Sequence, residues 1–599
     1  MPFKPRKLMN NRLKLLRGYF LSLPEKSRLL ILSFVVGISS GFAAVLLHEL
    51  IRLIREGLSA VVATRSEILF FLILPGVGML ISALLLKFLI KDSIGHGVTK
   101  VLVAVSKKEW SIKSHNTWSS ILTSSFTIGF GGSVGAEAPI VYTGAAIGSG
   151  FSRLFGMSYR SATILLGCGA AGAVAGIFKA PLAGVLFTLE ILLFNLSVTS
   201  IMPLLFSTVS ATVVSYIFLG DSLPFECTLA PFSIKNLPFY MLLGVFCGFC
   251  SVYFIRTTLR LEDFFAKWKN PFLKWLACAV GLGILILFFP PLYGEGYDSL
   301  SPLLNGESPA AEGGSILSFF FNTPWGIPAF FLLVLLLKVF SMTFTNAGGG
   351  VGGTFGPTLF IGALVGFVLA RAINLLFGYA GLSLPEQNFV LVGMAGLMAG
   401  VMQAPMTAIF LIAEITGGYE LFLPLILTSA VAFGVTRIFE KYSIYSKRIA
   451  STGELLTHDN DKAVLTLMKV SDVIENDFAV VPIDATLGDL VRVISSSERN
   501  IFPVVDANNR FQGYVSLSEV RRVMFDTSLY EQRHVFNYML TAPDYVYEDE
   551  GMESVMAKFE ETGAWNLPVV KEDRTYLGFV SKSKIFSSYR EELKEITSD

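Results

Sequence analysis

The sequence predicts a mainly α-helical, polytopic membrane domain built on an internal repeat, followed by a smaller C-terminal α/β pair. Three observations predict it. Of 599 residues, 53% are hydrophobic and only 16% are charged, with a mean hydropathy of +0.61, whereas soluble domains run near a quarter charged. Several apolar stretches approach or exceed the roughly 20 residues that a bilayer demands. Two kinds of segment also recur within the chain, one apolar and one in the polar tail.

The elements follow in order. Residues 1–28 form a basic segment in which Lys4, Arg6, Lys7, Arg12, Lys14, Arg17, Lys26 and Arg28 stand against Glu25 alone. Beside a first apolar span, this places the N-terminus in the cytoplasm. The run is too long for a signal-peptide n-region and no small-residue cleavage site follows it, so the first span is expected to be retained. Candidate spans are Leu29–Leu53, Ile68–Ile90, Leu237–Ile255, Phe272–Leu292 and Gly326–Phe344. The stretches 121–150 and 346–370 are broken by Gly and Pro. Broken helices at membrane depth must be enclosed by protein or line a cavity, because lipid cannot satisfy the freed backbone groups. Transporters and channels are where such architecture occurs. Cys247 and Cys250 form a CxxC within an apolar helix without a second ligand pair, and read as small buried side chains.

The apolar repeat pairs GAAGAVAGIFKAPLAGVLFTLEI (169–191) with GMAGLMAGVMQAPMTAIFLIAEI (393–415) at a constant offset of 224, from 169 to 393. Ala180-Pro181 falls on Ala404-Pro405, and Glu190-Ile191 on Glu414-Ile415. Each half has a small-residue helix, an Ala-Pro break and a second helix, which suggests a repeat transporter fold. Small residues let helices approach closely where hydrophobicity cannot drive helix against helix. The transmembrane domain is expected over 29–445, in repeats of roughly 29–219 and 236–445. A polar linker, 446–463, follows. In the tail, FPVVDANNRFQGYVSLSEV (502–520) matches LPVVKEDRTYLGFVSKSKI (567–585). Each copy reads as strand, turn, strand and short helix, preceded by an amphipathic helix such as Leu487–Ser495. The two tail domains are expected over 464–527 and 534–592.

Three segments place glycines just before helix starts: SIGHGVTKV (93–101), GSVGAEAPIV (132–141) and GGGVGGTFGPTLF (348–360). A helix N-terminus presents unpaired N–H groups and a partial positive charge, so it binds anions without Lys or Arg. Glycine permits close approach, and Pro139 and Pro357 suit early helix positions. Each end contributes about 0.3–1 kcal/mol, up to about 2 when partly buried. Several ends together therefore hold an anion weakly enough to release it. A carboxylate such as Glu137 can occupy the same cradle, and since an unpaired charge there costs a few kcal/mol, protonation releases it.

GAEAP (135–139), GGTFGP (352–357) and GHGVT (95–99) resemble the three anion-path motifs of CLC chloride channels and proton/chloride exchangers. The AGxxAGxxxAP repeats resemble the same family, and the tail resembles its paired CBS domains, so the likeness covers about residues 28 to 590. It implies an inverted repeat, and a homodimer in the bilayer with one pathway per subunit. It also implies transport of chloride or similar small anions, by exchange against protons or, alternatively, as a passive channel. Carried over, Glu137 resembles the external gating glutamate. The amides of Thr354 and Phe355 resemble the central anion site, and those around Glu137 (Gly135, Ala136, Ala138) the outer one, with His96, Gly97 and Gly353 alongside. Tyr445 resembles the tyrosine that donates its hydroxyl to the central anion; an interfacial belt tyrosine is the alternative, and Tyr442 the nearest competitor. The plasma (inner) membrane is the expected location, with the CBS domains cytoplasmic.

Several positions depart from the family pattern. His96 and Thr99 stand where the first motif usually has serine and proline, which leaves the preferred anion open. Ala136 replaces a basic residue and Ala138 a glycine. Ile191 stands where exchangers of the best-known type carry a second, inner glutamate, which weakens exchange, while Glu190 before it reads as paired with helix N–H groups. At the acid position through which CBS pairs bind adenine nucleotide ribose, the copies carry Glu519 and Lys584; a purely structural pair is the alternative. No HExxH occurs, as His48-Glu49 is followed by Leu50-Ile51-Arg52, and no GxxxxGK[ST] phosphate loop occurs. No enzymatic activity and no nucleic-acid partner are expected.

Overall fold

The computed structural model describes residues 23–62, 67–92, 94–95, 97–106, 111–192, 198–221, 229–305, 323–450 and 468–597. His96, the basic residues before position 23 and most of the 446–463 linker lie outside the described residues. The chain divides into two compact units after Leu455.

The first unit is helical. Its first half comprises α1 (Glu25–Val62), α2 (Glu67–Leu84, continued by a π-helical turn Leu85–Ile90), α3 (Gly97–Ser106), α4 (Asn116–Gly129), α5 (Glu137–Phe155), α6 (Tyr159–Phe178), α7 (Pro181–Glu190) and α8 (Val198–Leu219). The second comprises α9 (Leu237–Ala266), α10 (Pro271–Phe288), α11 (Tyr297–Leu304), α12 (Gly326–Ala347), α13 (Phe355–Phe377), α14 (Glu386–Met402), α15 (Pro405–Ile415), α16 (Phe422–Phe439) and α17 (Ile444–Ala450). Among the described residues, nine helices are long and apolar enough to cross a bilayer. The candidate span Phe272–Leu292 is shorter as a helix. α10 stops at Phe288 and a 3₁₀ turn takes over at Pro290–Leu292, because the Pro290-Pro291 pair removes two donors and disfavours helical geometry before it.

Small residues set the packing. α5 lies against α6, and α13 against α14, each pair in backbone contact at equivalent places. A Cβ on Gly148 would overlap the Leu165 carbonyl, and one on Gly366 the Phe389 carbonyl. Gly144 faces Gly169 in the first half as Gly362 faces Gly393 in the second. At the Ala-Pro breaks, Lys179 and Gln403 adopt the same left-handed conformation, with φ of 54° and 53°, and Pro181 and Pro405 open the next helices.

Those helices cap each other. Glu190, at the end of α7, accepts from the N–H groups of Met406 (3.0 Å) and Thr407 (2.7 Å) at the start of α15. Glu414, at the end of α15, accepts from Leu182 (3.0 Å) and Ala183 (2.9 Å) at the start of α7. Each carboxylate satisfies orphan donors and meets the positive helix end. Reciprocal capping makes α7 and α15 antiparallel although they are repeat equivalents, so the two copies are inverted. Glu190→Ala and Glu414→Ala are each expected to cost about 2 kcal/mol, read as similar drops in the thermal midpoint of the detergent-solubilised protein. A neutral result at either position would remove the capping role.

The second unit holds α18 (Val470–Val473), β1 (Val481–Pro482), α19 (Leu487–Ser496), β2 (Ile501–Val505), β3 (Phe511–Ser516) and α20 (Leu517–Val520), then β4 (Val546–Tyr547), α21 (Met552–Thr562), β5 (Asn566–Val570), β6 (Tyr576–Ser581) and α22 (Lys582–Thr597). Its two sheets have the orders β1-β2-β3 and β4-β5-β6, each with a parallel then an antiparallel pair. The copies exchange backbone bonds. Glu475 pairs with Phe579 in the second sheet, and Leu540 with Tyr514 in the first. α19 opens on a capping box in which the Thr486 hydroxyl accepts from Asp489 N (3.2 Å) and the Asp489 carboxylate accepts from Thr486 N (3.0 Å). Hydrogen bonds from Thr486, its hydroxyl foremost, hold the Asp489 carboxyl below its ordinary range.

Candidate functional site

Two interrupted helices build the site. After α4 and after α12 the chain turns at Gly131 and Gly349, whose φ values of +91° and +98° suit glycine. Gly132 N donates to the Thr127 carbonyl (2.8 Å), and Gly350 N to that of Thr345 (3.0 Å). The breaks then swap partners: Ser133 N donates to the Thr345 hydroxyl (3.1 Å) and Val351 N to the Thr127 hydroxyl (2.9 Å). Two residues on, Gly135 and Gly353 exchange N–H to carbonyl bonds of 3.1 and 2.7 Å. The breaks are equivalent at an offset of 218, from 131 to 349. This places the N-termini of α5 and α13 together and satisfies the freed backbone inside the protein. The symmetry ends in chemistry: α5 begins with Glu137 where α13 begins with Phe355.

Glu137 is buried. Its carboxylate accepts from Gly356 N at 3.3 Å and from the Tyr297 hydroxyl at 3.3 Å. Gly356 is the second residue of α13, whose first N–H groups have no acceptor within their own helix. A Cβ on Gly356 would stand only 3.1 Å from Glu137 Oε1. Phe355 packs on Phe178 and Phe187, with ring centroids 5.4 and 6.3 Å apart. The buried Thr354 hydroxyl donates to the hydroxyl of the buried Tyr445 at 3.4 Å. Tyr442, by contrast, is half-buried with Lys441 over its ring. Gly97, at the start of α3, lies against the Ala138 carbonyl and the Tyr142 Cβ, with no room for a side chain.

Three expected donors have other partners. The N–H groups of Gly135 and Gly353 pair with each other's carbonyls, and that of Ala136 donates to Glu295 Oε1 at 3.2 Å. The two glycines therefore fix the crossing of the breaks instead of offering donors to an anion, because a buried extended segment must pair its own amides. Thr354 and Phe355 remain at the helix start where the helix supplies no acceptor. Ile191 is buried at the C-terminal end of α7.

Sequence reasoning did not single out Tyr297, Glu295, Arg55 or Lys338. Lys338 is fully buried in α12 and donates to the Gly294 carbonyl at 2.9 Å, with its ammonium 4.8 Å from the Phe360 ring centroid. Arg55 Nη2 lies 3.9 Å from Glu295 Oε2. The available signal was Lys338 itself, the lone charge in an apolar 22-residue helix, since an ionisable residue within a span marks a candidate functional site. Arg55 and Lys338 are basic side chains beside the 294–295 loop, whose Glu295 holds the amide of the uncharged Ala136.

The family described as voltage gated chloride channel matches residues 77–437, more than half of the chain. The chain belongs to this voltage gated chloride channel family. CBS domains match 470–526 and 535–591, so the chloride channel unit carries a CBS pair and the protein is a multi-pass membrane protein. Its relatives include the H(+)/Cl(-) exchange transporter ClcA of Vibrio cholerae serotype O1 (strain M66-2), 28% identical over 444 residues, covering 71% of this chain and 89% of that protein. ClcA of Vibrio vulnificus (strain YJ016) is 31% identical over 336 residues, covering 54% and 67%. Among solved structures, a slow cyanobacterial Cl-/H+ antiporter shares the fold, with a TM-score of 0.61, 24% identity and coverage of 72% of this chain and 98% of that one. In the CBS pair of this family member, Glu519 and Lys584 are both exposed at helix starts.

Proposed function

We propose that this protein exchanges protons against chloride across a membrane, with Glu137 as the group that carries the proton and closes the anion path. One observation carries the reading: the Glu137 carboxylate occupies a first-turn amide of the facing helix, Gly356 N, where an anion would bind. A protonated Glu137 has no charge to hold there and gives way to chloride. The amides of Thr354 and Phe355 and the Tyr445 hydroxyl supply the central position. Amides around Glu137, that of Ala138 among them, supply the outer one, with Gly97 and His96 alongside. That relatives at 28 and 31% identity are named H(+)/Cl(-) exchange transporters favours exchange over a passive channel.

The proposed organisation is a transport domain over 29–445, a linker over 446–463 and CBS domains over 464–527 and 534–592. It acts as a homodimer in the plasma (inner) membrane, with the N-terminus and CBS pair cytoplasmic, as the basic run beside α1 favours. An adenine nucleotide at the CBS pair would meet Glu519. In liposomes holding the purified protein, an outward chloride gradient is expected to drive protons inward at a fixed ratio. Chloride flux with no proton movement would assign a channel instead.

A further inference from the structure

We propose that Glu295 is a second carboxylate of the outer anion position, which competes with chloride for the Ala136 amide and yields it on protonation. The inference rests on the reading of Glu137 and its neighbouring amides as the outer end of an anion path. Glu295 sits in the short loop between the 3₁₀ turn Pro290–Leu292 and α11. Its Oε1 accepts from Ala136 N at 3.2 Å, one residue before Glu137 and within the same cradle of helix-start amides. The loop is held in place independently: Gly294 N donates to the Gly131 carbonyl at 3.0 Å, and Lys338 Nζ donates to the Gly294 carbonyl at 2.9 Å. Two residues on, Tyr297 donates to Glu137 itself. One loop thus addresses both carboxylates.

The charged and titratable groups around Glu295 come from every packed element: Arg55 on α1, Glu137 at the start of α5, Tyr293 and Tyr297 flanking it, and Lys338 on α12. Arg55 Nη2, 3.9 Å from Oε2, is placed to hold the carboxylate whether or not it remains on the amide. Glu295 is partly exposed where Glu137 is buried, so Glu295 is the less enclosed of the two. An anion arriving at the Ala136 amide meets a like charge already bound to it, and neutralising that charge frees the donor.

Chloride binding to the purified full-length protein, measured by titration calorimetry from pH 7.5 to 5.5, tests this in the Glu137→Gln background, which removes the first carboxylate, and comparison with the double variant isolates the second from other groups that titrate in this range. The chloride Kd is expected to tighten about fivefold or more as pH falls. Glu137→Gln/Glu295→Gln is expected to bind tightly and without pH dependence. A flat curve in the single variant, or an unchanged pH dependence in the double, overturns the proposal. Should the double variant not fold, Arg55→Gln with Glu137→Gln is expected to move the transition to higher pH; an unmoved transition also overturns it. Failure of the Glu137 reading is distinct, because it appears as intact proton coupling in Glu137→Gln liposomes.

Discussion

Glu137→Gln is expected to leave chloride moving and to reduce the accompanying proton flux to background. Glutamine matches glutamate in shape: its one carbonyl oxygen can still accept from Gly356 N, and its NH2 can donate to the Tyr297 hydroxyl, the two groups that now donate to separate carboxylate oxygens at 3.3 Å each. The packing around it, with Gly356 and Gly135 leaving room for no more than hydrogen, is therefore kept. What is lost is the proton. An amide neither takes one up nor carries a charge that excludes chloride from the amide. A hydrogen bond to a charged group contributes about 1.5–3 kcal/mol, so a chloride that no longer displaces a carboxylate is expected to bind roughly ten- to a hundredfold tighter. Paired chloride- and proton-electrode recordings on liposomes read both effects. Protons that continue to move at the wild-type ratio would sink the assignment of Glu137 as the coupled group.

Gly366→Val is expected to prevent folding of the transport unit. α13 and α14 touch backbone to backbone there, and the first atom of any side chain would occupy the Phe389 carbonyl oxygen. Overpacking by extra methylenes costs about 1–3 kcal/mol when side chains can shift. Here the obstacle is main chain, so the cost is expected to exceed about 3 kcal/mol, a large share of any domain's stability. Helices in lipid associate through close packing and not through hydrophobic burial, so a forced separation has little to offset it. Gly150→Val is the control: it lies on α5 in the same family of small residues, but open space surrounds its Cβ position, and it is expected to be tolerated. The monodisperse fraction after detergent extraction separates the two. Equal recovery of both variants would show that the close approach does not hold the fold.

Much of this architecture is legible in composition and spacing. The apolar spans, the Ala-Pro breaks and the tail repeat are local patterns, and Glu190 reads correctly as a helix-capping carboxylate because its repeat mate Glu414 lies in the same context. The repeat from 127 to 139 onto 345 to 357 is harder to see, since its matches are one threonine, three glycines and one proline among dissimilar residues; the paired turns and the swapped hydroxyl bonds of Thr127 and Thr345 reveal it.

Composition, spacing and repeats already mark the chain as a repeat-built membrane protein with a CBS pair, and motif likeness proposes Glu137, Thr354, Phe355 and Tyr445 for its anion path. Periodicity, hydropathy and motif are properties of neighbouring residues, so one strand of text contains them. Which amides stay free is set by the fold. Gly135 and Gly353 pair with each other, Ala136 is held by Glu295, and Gly356 serves Glu137 from 219 residues away. A backbone N–H has no letter of its own, and its availability depends on which distant acceptor the fold brings within 3 Å or so.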